Sequence, residues 1–194
     1  MNTNLPYTDV TFVLLAGGQS KRMGSDKGLL TLENTTFSHK LLELAKEITP
    51  NVIVSVGAHN KDLYPTTRTV EDTIKNLGPI GGITSVLPFI KTDWFFLVSV
   101  DTPLVNKVLL NTLWVNKRGH EAIVFGTDSN IHPLTGLYHM SKIKKWTKAL
   151  DNRDLKVTRV VKGFNIKIIE ASNDINKLLK NINTPKEYKE LTKG

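Results

Sequence analysis

The sequence predicts an α/β fold, a mainly parallel central sheet flanked by helices on both faces, and three observations predict it. Short apolar runs recur along the chain, and amphipathic stretches of helical period lie between them. The first run opens directly into a glycine-rich, cationic loop. In sheets of this kind ligands bind beyond the carboxyl ends of the strands, so the segment after each run is where chemistry is expected.

Val10 to Ala16 is apolar almost throughout and is stopped by Gly17-Gly18, which predicts a short strand buried on both faces. Thr36 to Ile48 carries Phe37, Leu41, Leu44, Ala45 and Ile48 on one stripe and predicts the first helix. Val52 to Val56 (VIVSV) predicts the second strand, and Arg68 to Glu71 a short extended stretch ending at Asp72. A helix is expected over Gly82 to Ile90, entered through a turn containing Gly78, Gly81 and Gly82. Trp94 to Val100 (WFFLVSV) predicts a central strand, Leu104 to Lys117 a helix, and Glu121 to Phe125 a further strand. Pro133 to Tyr138 is expected to add a short mixed or antiparallel strand ahead of a helix over Ser141 to Leu150. Ile166 to Glu170 is the last strand, and Thr184-Pro185 reads as an N-cap followed by proline at the first helical position, opening a helix through Leu191.

At 194 residues the chain is expected to form one domain, with a core large enough to need no staples. No stretch approaches the eighteen apolar residues of a membrane span, so no membrane partner is expected. The first residues, MNTNLPYTDVTFVLLAGG, lack a basic region and run into the glycine loop rather than a cleavage site, so no export signal is read. The absence of cysteine excludes disulfides, thiolate zinc sites and cysteine nucleophiles, and fits a cytoplasmic location. The formal charge of +8 suits a polyanion or a small phosphorylated substrate. The lysines are scattered and not interleaved with aromatics as a single-strand groove would need, which argues against nucleic acid.

The loop LAGGQSKRMGSDKGLL, Leu15 to Leu30, has the chemistry of a phosphate cradle. Gly17, Gly18 and Gly24 let backbone N–H groups wrap an anion, and Arg22 and Lys27 add a guanidinium fork and a point charge suited to phosphate oxygens. The Walker pattern fails because Gly24 is followed by Ser25-Asp26-Lys27, and GxGxxG fails because Gly17 and Gly18 are adjacent. Asp101, at the tip of the WFFLVSV run, is placed to hold Mg²⁺ against phosphate oxygens, since magnesium takes only one or two carboxylates; a helix N-cap ahead of Leu104 explains the same residue.

The loop resembles the signature LAGGxSxRMGxDKxLL of the molybdenum cofactor guanylyltransferases (MobA type), within the nucleotidyltransferase superfamily. VED ending at Asp72, GPIGGI at Gly78 to Ile83, VSVDTP ending at Pro103, HPLTGLY at His132 to Tyr138 and NINTPKEY at Asn181 to Tyr188 resemble family blocks in the same order. The resemblance implies a Rossmann-like nucleotidyltransferase fold, with a GTP-binding N-terminal part and a molybdopterin-binding C-terminal part. It implies transfer of GMP from GTP to the terminal phosphate of molybdopterin with Mg²⁺, releasing pyrophosphate, and contacts with cofactor-biosynthesis proteins and molybdoenzymes. Leu15, Ala16, Gly17, Gly18, Lys27, Ser55, Asp72, Gly78, Gly82 and Asp101 then face the nucleotide, with Arg22, Lys27 and Asp101 catalytic and Asp101 on the metal. His132, Lys156, Asn181 and Asn183 fall on the pterin side. Ordinary turn, capping and solvated-face roles explain Asp72, the asparagines and the Arg153, Lys156, Arg159 cluster equally well from the residues alone. A cytidylyltransferase would more often read LAAG than the LAGG found here, a sugar-phosphate nucleotidyltransferase would be longer, and a nucleotide- or nucleic-acid-binding module would show no turnover.

Overall fold

The computed structural model describes residues 7–17, 27–57, 61–72 and 77–192. Seven strands form one sheet in the order β5-β4-β1-β6-β8-β7-β9: β1 (Val10–Leu15), β4 (Val52–Val56), β5 (Arg68–Glu71), β6 (Trp94–Ser99), β7 (Ala122–Gly126), β8 (Ile131–His139) and β9 (Ile166–Glu170). A separate two-residue pair, β2 (Thr31–Leu32) and β3 (Thr35–Thr36), forms a small antiparallel ribbon after the first loop. In the sheet β1 runs parallel to β4 and β6, β4 to β5, and β7 to β9. Only β8 runs against its neighbours, pairing antiparallel with β6 and β7.

Period-two alternation within these buried strands feeds two cores. Val10, Phe12 and Leu14 of β1 pack with Phe37, Leu41 and Ala45 of α1 (Phe37–Ile48) and Leu109, Leu110 and Leu113 of α3 (Lys107–Val115). Val13 and Leu15 point the other way, toward Ile80 and Ile83 of α2 (Gly78–Val86), Trp146 of α4 (Ile143–Asp151) and Val160 and Val161 of α5 (Val157–Lys162). α6 (Asn173–Leu178) and α7 (Pro185–Thr192) close the first face. Each fully buried phenylalanine, such as Phe12, Phe95 or Phe96, contributes about 1.5–3 kcal/mol through lost apolar exposure. No helix among the described residues is long and apolar enough to cross a membrane.

The helix expected at Gly82 begins four residues earlier, at Gly78. Gly81 and Gly82 therefore lie inside α2 instead of forming its entry turn, because the helix must press its backbone against the ends of β1 and β4. α3 starts at Lys107, capped by the Asn106 side chain accepting from Leu109 N–H at 3.1 Å, so Asp101 is not the helix cap. β8 is a nine-residue central strand, longer than its Pro133–Tyr138 expectation, and a register shift between Val124 and Phe125 marks its pairing with β7. The ends of α1 and α7 fall where their capping residues place them, with Thr36 accepting from His39 N–H.

Candidate functional site

The chain leaves β1 toward β4 and β5 on one side and returns through α2 to β6 on the other, so the strand order reverses at β1. The carboxyl ends of β1, β4, β5 and β6 deliver Leu15-Ala16-Gly17, Ser55, Asp72 and Asp101 to one edge of the sheet. Backbone bonds tie these ends together: Ala16 N–H donates to Ser55 O at 2.9 Å, Asp72 N–H to Val56 O at 3.0 Å, and Val100 N–H to Leu15 O at 3.0 Å.

One half of the edge is tightly built. Ser55 Oγ donates to Asp72 Oδ1 at 2.8 Å. A Cβ on Gly82 would lie 2.6 Å from Ser55 Oγ and 3.4 Å from Leu15 Cδ2, and one on Gly17 would lie 3.1 Å from Gly57 N and 3.2 Å from Asp72 Oδ2. At Gly82 a side chain would displace Ser55 from its pair with Asp72, and at Gly17 it would crowd Gly57 and Asp72 by a few tenths of an ångström. Burial pushes the Asp72 carboxyl above its ordinary range, aided by the charge of Glu71 and opposed by the Ser55 hydrogen bond. Gly78, at φ +58°, is the first residue of α2, with open space where a Cβ would lie.

The other half gathers residues from opposite ends of the chain. Lys27 Nζ lies 3.9 Å from Asp101 Oδ2, the two side chains being 18% and 17% exposed. Lys27 Nζ also donates to the side-chain oxygen of Asn183, 156 residues away in sequence. Ile182 N–H donates to Asp101 O at 2.8 Å, which fixes the segment before Asn183 to the end of β6. Asp101 Oδ1 is buried and has no hydrogen-bond partner among the described residues. A buried, uncompensated carboxylate oxygen at a strand tip fits a hard cation that brings its own oxygen ligands. Among the described residues no three His, Asp or Glu groups converge on one point, as a site of all-protein ligands would require. A single-carboxylate magnesium site needs no such cluster.

His132, at the start of antiparallel β8, reaches this same edge because β8 begins where β6 and β7 end. Burial holds its imidazole below the usual histidine range, with the Asn176 side chain bonded to it working in the opposite sense. Asn181 is exposed and precedes Ile182 without joining the Lys27 group. Lys156 is exposed at the start of α5, where its bonds are local: its N–H faces Asp154 Oδ1 at 3.4 Å, and Arg159 pairs with the same carboxylate oxygen at 3.1 Å. Arg153 is exposed in the left-handed region at φ +52°. Gly18 and Arg22 lie outside the described residues. Sequence reasoning missed Glu187, whose carboxylate accepts from Asn183 N–H and Thr184 N–H at 2.8 Å each. The signal was present in Thr184-Pro185-Lys186-Glu187, a capping-box spacing.

A cation, an unsatisfied carboxylate oxygen and close-packed glycines at the switch point define the class: an α/β protein whose polar groups gather where such folds take nucleotides. Residues 12–165 match the MobA-like NTP transferase domain, and the chain belongs to that family of nucleotidyltransferases. A Vibrio campbellii protein named molybdenum cofactor guanylyltransferase is 32% identical, with 94% of this chain and 95% of the relative covered. A Flavobacterium johnsoniae protein named probable molybdenum cofactor guanylyltransferase is 29% identical over 94% and 96%. Among solved structures, molybdopterin-guanine dinucleotide biosynthesis protein A from Archaeoglobus fulgidus superposes with a TM-score of 0.77 at 20% identity, covering 94% of this chain and 97% of that one. At that identity the superposition speaks for the fold.

Proposed function

We propose that this nucleotidyltransferase moves GMP from GTP to the terminal phosphate of molybdopterin, forming the guanine dinucleotide cofactor and releasing pyrophosphate. The observation that carries the reading is the convergence of Lys27, Asp101 and Asn183 beside the glycine-lined recess of Leu15, Gly17, Ser55, Asp72 and Gly82. The names of the relatives support the guanine and pterin parts of it.

In this reading the pterin phosphate oxygen attacks the α-phosphorus of GTP, a bond forms there, and the bond from that phosphorus to the bridging oxygen of the β-phosphate breaks. The nucleophile is already anionic, so positioning and charge neutralisation outweigh any need for a general base. His132, held below the usual histidine range, serves as a neutral contact on the acceptor side. Lys27, steered by Asp101 and Asn183, supplies a directed positive charge to the triphosphate, with Arg22 as a second cation. Backbone groups of Leu15, Ala16, Gly17 and Gly18 follow the nucleotide, and Ser55, Asp72, Gly78 and Gly82 form its base and ribose side. Asp101 is the residue that would hold Mg²⁺, which when bound offsets negative charge on phosphate oxygens. Lys156, Asn181 and Asn183 face the pterin half, so that the first part of a single domain takes GTP and the last part the acceptor.

The test is pyrophosphate release from the purified protein with Mg²⁺ and intact molybdopterin, comparing GTP, CTP and ATP. Release with GTP alone is expected. Release with CTP alone would move the chain to cytidylyl transfer, and no release with any nucleotide would overturn the reading.

A further inference from the structure

The Lys27 ammonium is held by a chain of contacts that begins on α7. Asn183 receives its bond through the side chain, while Asn183 N–H donates to Glu187 Oε2 at 2.8 Å. The same oxygen accepts from Thr184 N–H at 2.8 Å and from Thr184 Oγ at 3.0 Å, and Glu187 N–H returns a bond to Thr184 Oγ at 3.2 Å. One carboxylate oxygen thus fixes two successive peptide units and one hydroxyl, and so sets the direction in which Asn183 presents its amide. Those donors hold the Glu187 carboxyl below the usual range, so it is anionic at neutral pH.

α7 is itself anchored to the loop that carries Lys27. Tyr188 Oη donates to Thr31 O at 2.8 Å, and its ring meets Phe37 edge-on with centroids 6.1 Å apart. On the other side Ile182 is buried and bonded to Asp101 O. Residues 182–184 are therefore pinned between the end of β6 and the first turn of α7, with the Lys27 contact in the middle.

We propose that Glu187 is a positioning residue for the transfer reaction: it orients Asn183, and through Asn183 it aims the Lys27 ammonium at the site beside Asp101. The assignment rests on the nucleotidyl-transfer reading for its kinetic consequence and on the hydrogen-bond chain alone for its effect on Lys27.

The experiment combines both. Lysine side chains labelled with ¹³C at Cε report the Lys27 environment by NMR in the unliganded protein, and pyrophosphate release at saturating GTP reports kcat. Glu187→Ala should shift the Lys27 signal as Asn183→Ala does, and lower kcat by about tenfold, the scale expected when a reacting group is misplaced by a fraction of an ångström. Glu187→Gln, which keeps an accepting oxygen, should restore most of both. In an Asn183→Ala background Glu187→Ala should add nothing further to the loss in kcat. Glu190→Ala, on the same helix but paired with Lys180 at the surface, should change neither readout. An unmoved Lys27 signal in Glu187→Ala, with only a fall in Tm, would reduce Glu187 to a helix cap and overturn the proposal, as would additive losses in the double variant. A wild-type protein that released no pyrophosphate, with its Lys27 signal still moved by Glu187→Ala, would sink the transfer reading and leave the orientation of Lys27 by Glu187 standing.

Discussion

The two halves of the sheet are stabilised differently. From β5 to β6 the strands are parallel, β1 and β6 are buried along their whole length, and the strand ends meet α2 with no room for a Cβ on Gly82. From β8 to β9 one strand is reversed, the pairing slips at Val124/Phe125, and β9 is only half-buried. This second half is stitched at its surface instead: Glu121, beside the start of β7, pairs with Lys142 at 3.1 Å and Lys145 at 2.8 Å, and accepts from Asn165 N–H at 3.0 Å. In the proposed reading the nucleotide side is thus preorganised by close packing, and the acceptor side is carried by polar residues, the half-buried His132 and the exposed Lys156 and Asn181. A rigid recess suits a ligand of fixed shape, and a looser edge suits a larger acceptor.

The contrast can be broken most severely where the halves meet. Asp101→Ala should lower turnover by about 100-fold or more while the circular dichroism of the fold survives, because the proposed reading puts the residue on the metal and it belongs to neither apolar core. Unchanged rates would remove Asp101 from the chemistry. Gly82→Ala tests the packed half: the added Cβ, 2.6 Å from Ser55 Oγ, must displace the serine or the helix, at a cost of about 1–3 kcal/mol in denaturant unfolding. GTP affinity should fall with it, and a variant as stable as the parent would show that the recess can relax.

Acid should separate the halves more gently. Hydrogen bonds from Lys145 and from Asn165 N–H, with a further one from Lys142, hold the Glu121 carboxyl at about 2, against an ordinary 4.5. A depressed folded pKa gives stability that is complete above about pH 4.5 and is lost as pH falls toward 2. Solvent screening at this surface site reduces the effect to about 1 kcal/mol. Glu121→Gln should therefore be less stable at pH 7 and lose less stability than the parent between pH 5 and about 2.5, read by urea midpoints. Parallel acid profiles would argue that Glu121 contributes nothing specific. The smallest effect is expected from Lys156→Ala: about two- to threefold in KM for the pterin, fading with added salt, with kcat unchanged.

Much of this was legible in the sequence, for identifiable reasons. Val52–Val56, Arg68–Glu71 and Ile166–Glu170 are strands with the boundaries expected of them, because apolar or β-branched runs bounded by turn residues have few alternatives. α2 began earlier than expected because GPIGGI has the composition of a turn, and only the tertiary demand for close backbone approach makes it helical. α5 and α6 span six residues each, too few for a helical period to declare itself. At the site, Lys27 and Asp101 stood out singly, through charge beside glycine and carboxylate after an apolar run. Their meeting with Asn183 could not be read, since no local pattern links residues so far apart. Glu187 was hidden differently, because a capping box is read as helix punctuation and here it also holds Asn183, the residue bonded to Lys27.

The bond from Lys27 to Asn183 also imposes an order in time. During synthesis the first strands, the glycine loop and Lys27 emerge long before the segment that completes their setting. The parallel half, with Asp101 beside Lys27, can collect its apolar faces early, while the contact from Asn183 is added last. A nascent or proteolytically shortened chain ending ahead of Ile182 would therefore keep the Lys27–Asp101 pair and lack the Asn183 bond to it and the Ile182 bond to the end of β6. The part of the site that is synthesised last is thus the one that joins the two ends of the chain.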